Sequence, residues 1–228
     1  RVNYCHLFKE LLNRDLPPVY MRLLLNLYTS HVTRVSWNGI FSPQFLVKNG
    51  VKQGGVLSPV LFCIYIDCLL VKLNESAVGC FIGNSFLGAL VYADDIALLA
   101  PTHRAMRRML EICDNFATEF SVVYNAKKSK CMYFAPSVRR PRQARASKPP
   151  PQFSIAGKPI EFVDEWLHLG HTISVICDDR SEIMKKRSML CGQINNVLCF
   201  FSKRDPIIKL SLLKSYCSSF YGCVLWDL

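Results

Sequence analysis

Acidic residues are scarce in this chain, and one long stretch has none. Across its 228 residues, 17 Asp and Glu face 28 Lys and Arg, a formal net charge of +11. From Phe120 to Ile160 there are nine basic residues and no acid: Lys127, Lys128, Lys130, Arg139, Arg140, Arg142, Arg145, Lys148 and Lys158. The rest is close to neutral. A local basic block is the electrostatic footprint of a polyanionic partner, or else a solvated charge run, and charge alone does not separate the two. Paired cysteines are missing as well. The eleven cysteines are odd in number and scattered singly, with no C-x-x-C, which excludes a disulfide scaffold. They read as reduced thiols of an intracellular protein, mostly serving as small core hydrophobes. His168 and His171 lie near Cys177 but lack two more well-spaced ligands, which argues against zinc. No apolar run reaches the roughly 18 residues of a membrane span. The most apolar stretch, Phe81 to Ala100, is interrupted by Gly83, Asn84, Ser85, Gly88 and Asp94-Asp95, so no membrane partner is expected. The chain starts without methionine or a signal-peptide pattern and reads as an internal piece of a longer protein. There is no internal repeat.

Half of the residues are hydrophobic, enough for a sizeable core in one large domain or one and a half. Tyr4 to Arg14 has helical spacing. Pro17-Pro18 breaks it and starts a second helix through Tyr28. Val32 to Trp37 alternates as a strand, Asn38-Gly39 signals a hairpin turn, and Phe45 to Val47 is the expected return strand. Ser58-Pro59 predicts a helix start, with Ser58 as N-cap, running to about Asn74 and apolar on most sides, hence buried. Strands are expected at Val78 to Ile82, Phe86 to Tyr92 and Ile96 to Ala100, then a Thr102-capped helix from His103 to about Glu119. Extended segments follow at Val122 to Tyr124 and Lys130 to Phe134. Residues 136–151 read as a basic, Pro-rich linker without apolar periodicity, poorly ordered and open to trypsin near Arg139 to Arg145. Short strands are expected near Phe153-Ile155, Ile160-Val163 and His168-Ile173. Two helices close the chain, at about Arg180 to Phe200 and, after Asp205-Pro206, to Tyr221.

The sharpest chemical feature is Leu90-Val-Tyr-Ala-Asp-Asp-Ile-Ala-Leu-Leu99. Two adjacent carboxylates sit at the joint of two apolar strands. Like charges in an apolar frame need a compensating cation, and a divalent metal that prefers carboxylate oxygen and phosphate supplies one. A hairpin tip would hold the pair rigidly, as two-metal phosphoryl chemistry requires. An Asp-rich turn facing water is the plainer reading of this string taken alone.

Order and spacing add to it. The string resembles the Tyr-x-Asp-Asp box of reverse transcriptases. Upstream, Gly50-Val-Lys-Gln-Gly-Gly-Val-Leu-Ser-Pro59 and the segment to Asp67 resemble the Gln-Gly loop and following helix of these enzymes. Downstream, Asn125-Ala-Lys-Lys-Ser129 is similar to the family's Asn-x-x-Lys-Ser segment, and Trp166-Leu-His-Leu-Gly170 to its primer-grip hairpin. The last stretch, Leu212 to Trp226, resembles the helical region after the palm in LINE-like (non-LTR) retrotransposons.

The resemblance implies an α+β fold: residues 1–135 as an incomplete right-hand palm, 136–151 as linker, 152–175 as a primer-grip-like hairpin and 176–228 as thumb-like helices. It implies an RNA-directed DNA polymerase that extends a DNA primer on an RNA template with deoxynucleoside triphosphates and Mg²⁺ or Mn²⁺, inside the cell in the nucleus. Asp94 would be the principal metal ligand and Asp95 a second, with Tyr92 a platform for a sugar or base. Gln53, Gly54 and Gly55 would let backbone approach template and nucleotide closely, facing one groove with the Asp pair. Lys128 would protonate the leaving pyrophosphate or simply neutralise phosphate. Leu169 and Gly170 would shape the primer-grip turn. The family's fingers and its other essential aspartate lie before the segment resembling Arg1 to Tyr4, in a missing N-terminal part of the same polyprotein. These 228 residues alone are therefore expected not to polymerise, since Asp67 sits in a helix expected to be buried and Asp15 at a helix end. Cys68 departs from the small or acidic residue expected after Tyr-Ile-Asp. Two alternatives stay open: a catalytically dead, nucleic-acid-binding relic of a retroelement, and a maturase of group II introns.

Overall fold

A computed structural model describes residues 2–48, 50–52, 54–134 and 151–217. Of the linker expected at 136–151, residues 136–150 lie outside the described residues, as does the chain beyond Cys217. The chain divides into two compact units. One comprises Arg1–Ala126 and Pro151–Pro159, the other Lys127–Pro150 and Ile160–Leu228. All described sheets are two-stranded ribbons mixed with helices, an α+β fold. Among the described residues no helix is long and apolar enough to cross a membrane.

The first unit opens with α1 (Tyr4–Asn13), capped by the Asn3 side chain accepting from the Cys5 amide, and α2 (Pro18–Thr29), begun by the proline pair. Then comes a two-storey hairpin. The outer ribbon pairs β1 (Val32–Thr33) with β4 (Phe45–Leu46). The inner one pairs β2 (Ser36–Trp37) with β3 (Ile40–Phe41) across Asn38 and Gly39, both at positive φ as the tightest hairpin turns require. The expected single strand from Val32 is thus two strands. Between them Ser42 takes the Val35 amide on its Oγ and donates its own amide to the Val35 carbonyl.

Helix α3 (Ser58–Glu75) carries the centre of the core. Its buried side is Ser58, Leu61, Tyr65, Ile66, Leu69 and Leu73. This corrects the expectation of burial on most sides: Val60 and Val71 are exposed, because neighbours cover one face only. Asp67 lies at the margin of that face, paired with Arg14 at the C-terminal end of α1. Ser58 is also not the N-cap. Leu57 holds that position, and the Ser58 hydroxyl donates to the Lys52 carbonyl. Two ribbons follow, β5 (Phe81–Ile82) with β6 (Ser85–Phe86), and β7 (Ala89–Tyr92) with β8 (Asp95–Leu98). Helix α4 (His103–Phe120) is capped by Thr102 and buries Met109, Leu110, Cys113, Phe116 and Phe120. The Tyr65 ring meets Phe120 edge-on at 5.5 Å, and its hydroxyl donates to the Phe120 carbonyl.

In the second unit β9 (Lys130–Cys131) awaits a later partner. The chain returns to the first unit for β10 (Ser154–Ile155) and β11 (Lys158–Pro159), whose turn amide at Ala156 donates to Asp114 of α4 at 2.8 Å. It then leaves again as β12 (Glu161–Phe162), parallel to β9. The strand expected over His168–Ile173 is instead the tip of a hairpin, β13 (Glu165–His168) with β14 (His171–Ser174). It turns there because Leu169 and Gly170 both take positive φ. Helices α5 (Arg180–Phe200) and α6 (Pro206–Cys217) follow, the Ile207 amide donating to Asp205. No strand forms at Val122 to Tyr124. The described cysteines are free thiols, but five are exposed and only Cys113 and Cys217 are buried. They are therefore not mainly core residues: those on α1, α3 and α5 fall largely on outward positions. Burial pushes the Cys113 thiol up to about 12.

Candidate active site

The β7–β8 ribbon is built to be held at its base and open at its tip. Ala89, Val91, Ile96 and Leu98 pack against the helical core, and Val91 faces Ile96 directly across the ribbon. The next pair, Tyr92 and Asp95, is exposed, with Tyr92 at 67%. Ala93 and Asp94 make the turn between them, Ala93 at φ +52°, a left-handed conformation that costs a side-chain-bearing residue about 1–2 kcal/mol. Asp94 and Asp95 are exposed. The base is tied by backbone bonds from Leu99 to the Gly88 carbonyl at 2.7 Å and from Cys80 to the Leu99 carbonyl at 3.1 Å. Gly88 lies against the Phe86 ring so closely that a Cβ there would sit 2.3 Å from it.

In the same unit, the loop before α3 is shaped by two different glycines. Gly54 has φ +76° with open space around it, so its requirement is conformational. At Gly55 a Cβ would meet the Ser58 Oγ at 2.8 Å and the Lys52 carbonyl oxygen at 3.1 Å, so crowding comes from the loop itself. The Lys52 carbonyl accepts from both the Gly55 amide and the Ser58 hydroxyl, which ties the loop to the helix start. Gln53 lies outside the described residues, and with it the expectation that it faces the Asp pair.

Lys128, Leu169 and Gly170 belong to the second unit. Lys128 is exposed in the turn before β9. Leu169 and Gly170 form the β13–β14 turn, Leu169 at φ +49°, an unfavourable state for so bulky a residue. The ribbon is tied to α5 through a residue that sequence reasoning misses. Glu182 is only 2% exposed. Its Oε2 accepts the Thr172 amide at 2.6 Å, and its Oε1 lies 3.4 Å from His171 Nδ1 and 3.7 Å from Lys186 Nζ. Burial by itself would raise this carboxyl, but the hydrogen bonds from Thr172, with His171 and Lys186 beside it, leave it below its ordinary value. In sequence, Glu182 is an acid in the first turn of a helix, indistinguishable from a solvated complement to the helix dipole.

The described structure thus brings Tyr92, Asp94 and Asp95 to one tip and Leu169 with Gly170 to another. The Asp pair offers the hard oxygen donors that suit Mg²⁺ or Mn²⁺. Among the described residues no group of three or more His, Cys, Asp or Glu could hold a metal ion.

The described residues thus present two carboxylates at the exposed tip of a ribbon anchored on a helical core. Residues 1–173 match the family described as reverse transcriptase (RNA-dependent DNA polymerase), and the chain belongs to that family. It is 30% identical over 158 residues to the Retrovirus-related Pol polyprotein from type-2 retrotransposable element R2DM of Drosophila melanogaster, covering 68% of this chain and 14% of that protein. It is also similar to the Retrovirus-related Pol polyproteins from type-1 retrotransposable element R2 of Nasonia vitripennis, at 28% identity over 71% of this chain and 16% of that protein, and of Popillia japonica, at 30% over 66% and 25%. The chain is thus a reverse transcriptase segment of the non-LTR retrotransposon type, spanning a quarter or less of the length of these relatives.

Proposed function

We propose that residues 1–135 supply most of the palm, and 176–228 the start of the thumb, of an enzyme that extends a DNA primer on an RNA template in the nucleus. Residues 136–151 link them to the primer-holding hairpin at 152–175. The observation that carries this reading is the exposed Asp94-Asp95 tip on a core-anchored ribbon, in a chain whose family is defined by RNA-directed DNA synthesis.

On this reading each residue has a task. Asp94 is the principal ligand for Mg²⁺ or Mn²⁺ and Asp95 its support; when bound, the ion supplies charge stabilisation at the phosphates and a lowered pKa at the primer hydroxyl. The exposed Tyr92 ring, next to the carboxylates, offers a flat apolar surface to the primer's terminal sugar or base. The Gly54–Gly55 backbone, without side chains, gives template and incoming deoxynucleoside triphosphate a close approach beside Gln53. Lys128 delivers a proton to the departing pyrophosphate or neutralises it. Leu169 and Gly170 hold the primer end.

The test is primer extension by the complete element-encoded enzyme, wild type against Asp94→Asn, with RNA binding measured in parallel. Loss of extension with binding retained is the expected result. A wild-type enzyme that binds RNA and never extends would favour the relic reading.

A further inference from the structure

The β13–β14 hairpin is held on α5 at three points along its length. On β13, Glu165 pairs with Lys185 at 2.8 Å. On β14, the Thr172 amide donates to the buried Glu182 carboxylate at 2.6 Å. At the turn, Lys186 Nζ lies 3.4 Å from the Gly170 carbonyl oxygen while also facing Glu182 Oε1 at 3.7 Å. Glu182, Lys185 and Lys186 fall within five consecutive positions of one helix, so a single face grips both strands and the tip.

Two features mark this as more than ordinary packing. First, Thr172 stands opposite Leu167 with its N–H turned away from β13, an edge donor that water would serve adequately on an exposed ribbon. Here it is met by a carboxylate taken out of water, an arrangement whose desolvation has to be offset by charge-assisted bonds. Second, the turn it supports is a strained one. Leu169 is held at φ +49° with its side chain 39% exposed, and strain of this kind persists where surrounding contacts over-determine it.

We propose that Glu182, acting with Lys186, is a positioning residue that fixes the Leu169–Gly170 turn against the primer's 3′ end. This rests on the reading of that turn as the primer holder. Glu182 is too buried to touch a nucleic acid. It acts through Thr172 and, by way of Lys186, through the Gly170 carbonyl. A turn fixed this way sets where the primer terminus lies without setting how tightly the whole duplex binds.

The experiment uses the 228-residue chain with a DNA primer–RNA template duplex carrying a photoreactive nucleotide at the primer 3′ end. Duplex affinity, cross-link yield on the peptide spanning 165–174, and amide exchange of that peptide are measured for wild type, Glu182→Ala, Glu182→Gln and Lys186→Met. Cross-link yield is expected to fall about tenfold or more in Glu182→Ala, as loss of a buried charge-assisted bond implies, with affinity changed by less than about threefold. Faster exchange at 165–174 should accompany it. Glu182→Gln, which keeps an oxygen for the Thr172 amide, should recover much of the exchange protection but not the cross-link. Lys186→Met, at the edge of the cluster, reads the turn alone and decides the matter if Glu182→Ala fails to fold. A wild-type cross-link that the variants leave unchanged overturns the positioning role and leaves the primer-holding turn standing. A wild-type duplex that binds but never cross-links at 165–174 overturns the primer-holding reading, and the positioning role with it.

Discussion

Asp94 occupies a turn position where an Asp-to-Asn change keeps size and hydrogen-bonding shape but removes the charge. No described contact of the fold depends on that charge, since Asp94 is exposed beyond the last ribbon pair. Asp94→Asn in the complete enzyme should therefore leave thermal stability within about 0.5 kcal/mol of wild type, as surface changes usually do. Primer extension should drop by more than about 100-fold, the upper range for losing a group that merely orients a metal ligand. A stable variant with near-normal extension, read by single-nucleotide incorporation, would remove Asp94 from the site. Glu182 is the opposite case, a carboxylate on which the fold does depend. Its folded value lies below the ordinary 4.5, so the stability it contributes is present above about pH 4.5 and is lost as pH falls through the folded value. Amide exchange at 165–174 should accelerate on acidification through that window. In Glu182→Gln the acceleration should be absent, and an unchanged pH profile in that variant would show that another group titrates.

At the scale of elements, Gly88 is the clearest constraint on the β7–β8 ribbon. Gly88→Ala would drive a Cβ into the Phe86 ring, and the ring, itself packed 5.3 Å from Phe81, must shift. Urea unfolding should show a loss of about 1–3 kcal/mol, the usual range for overpacking; an unchanged midpoint would mean the β5–β6 ribbon yields freely. The single strand expected over Phe86 to Tyr92 is broken at Gly88 into β6 and β7, which pair in different ribbons. Helix starts were legible because Thr102 and Asp205-Pro206 carry local chemistry that acts within a turn of chain. Strand extents were not, because pairing depends on distant partners. The apolar run from Val78 ends in pairing only at Phe81–Ile82, and the run His168–Ile173 folds back at Leu169. The Asp pair was legible because two carboxylates interrupt an apolar run. Glu182 was not, since its burial is decided by a hairpin docking on α5, which no local pattern announces. Ser58 begins the helix without capping it, because its hydroxyl donates to Lys52 across the loop.

For the molecule as a whole, the 228-residue polypeptide should bind nucleic acid and fail to polymerise, because phosphoryl transfer by two metals needs carboxylates on both sides of the ions. Asp67 is already paired with Arg14. Primer extension with Mg²⁺ or Mn²⁺ should show no incorporation; incorporation that disappears in Asp94→Asn would mean another carboxylate of these 228 residues completes the site. Binding should weaken steeply with salt. Replacing Arg139, Arg140, Arg142 and Arg145 by Ala should lower the slope of log affinity against log salt by up to roughly 3, at about 0.7 per phosphate contact on a single strand. An unaltered slope would assign binding to other cations.

The chain's double return has a further consequence, for the order of manufacture. Residues 127–134 belong to the second unit, 151–159 go back to complete the first, and β12 then leaves to pair with β9. A ribosome releases these pieces strictly in turn. The β10–β11 ribbon that caps Asp114 emerges only after the opening of the second unit is already out of the tunnel. That opening strand must wait unpaired for Glu161, 31 residues later. The first unit therefore closes only once residue 159 is out, and β9 presents an open strand edge until β12 arrives.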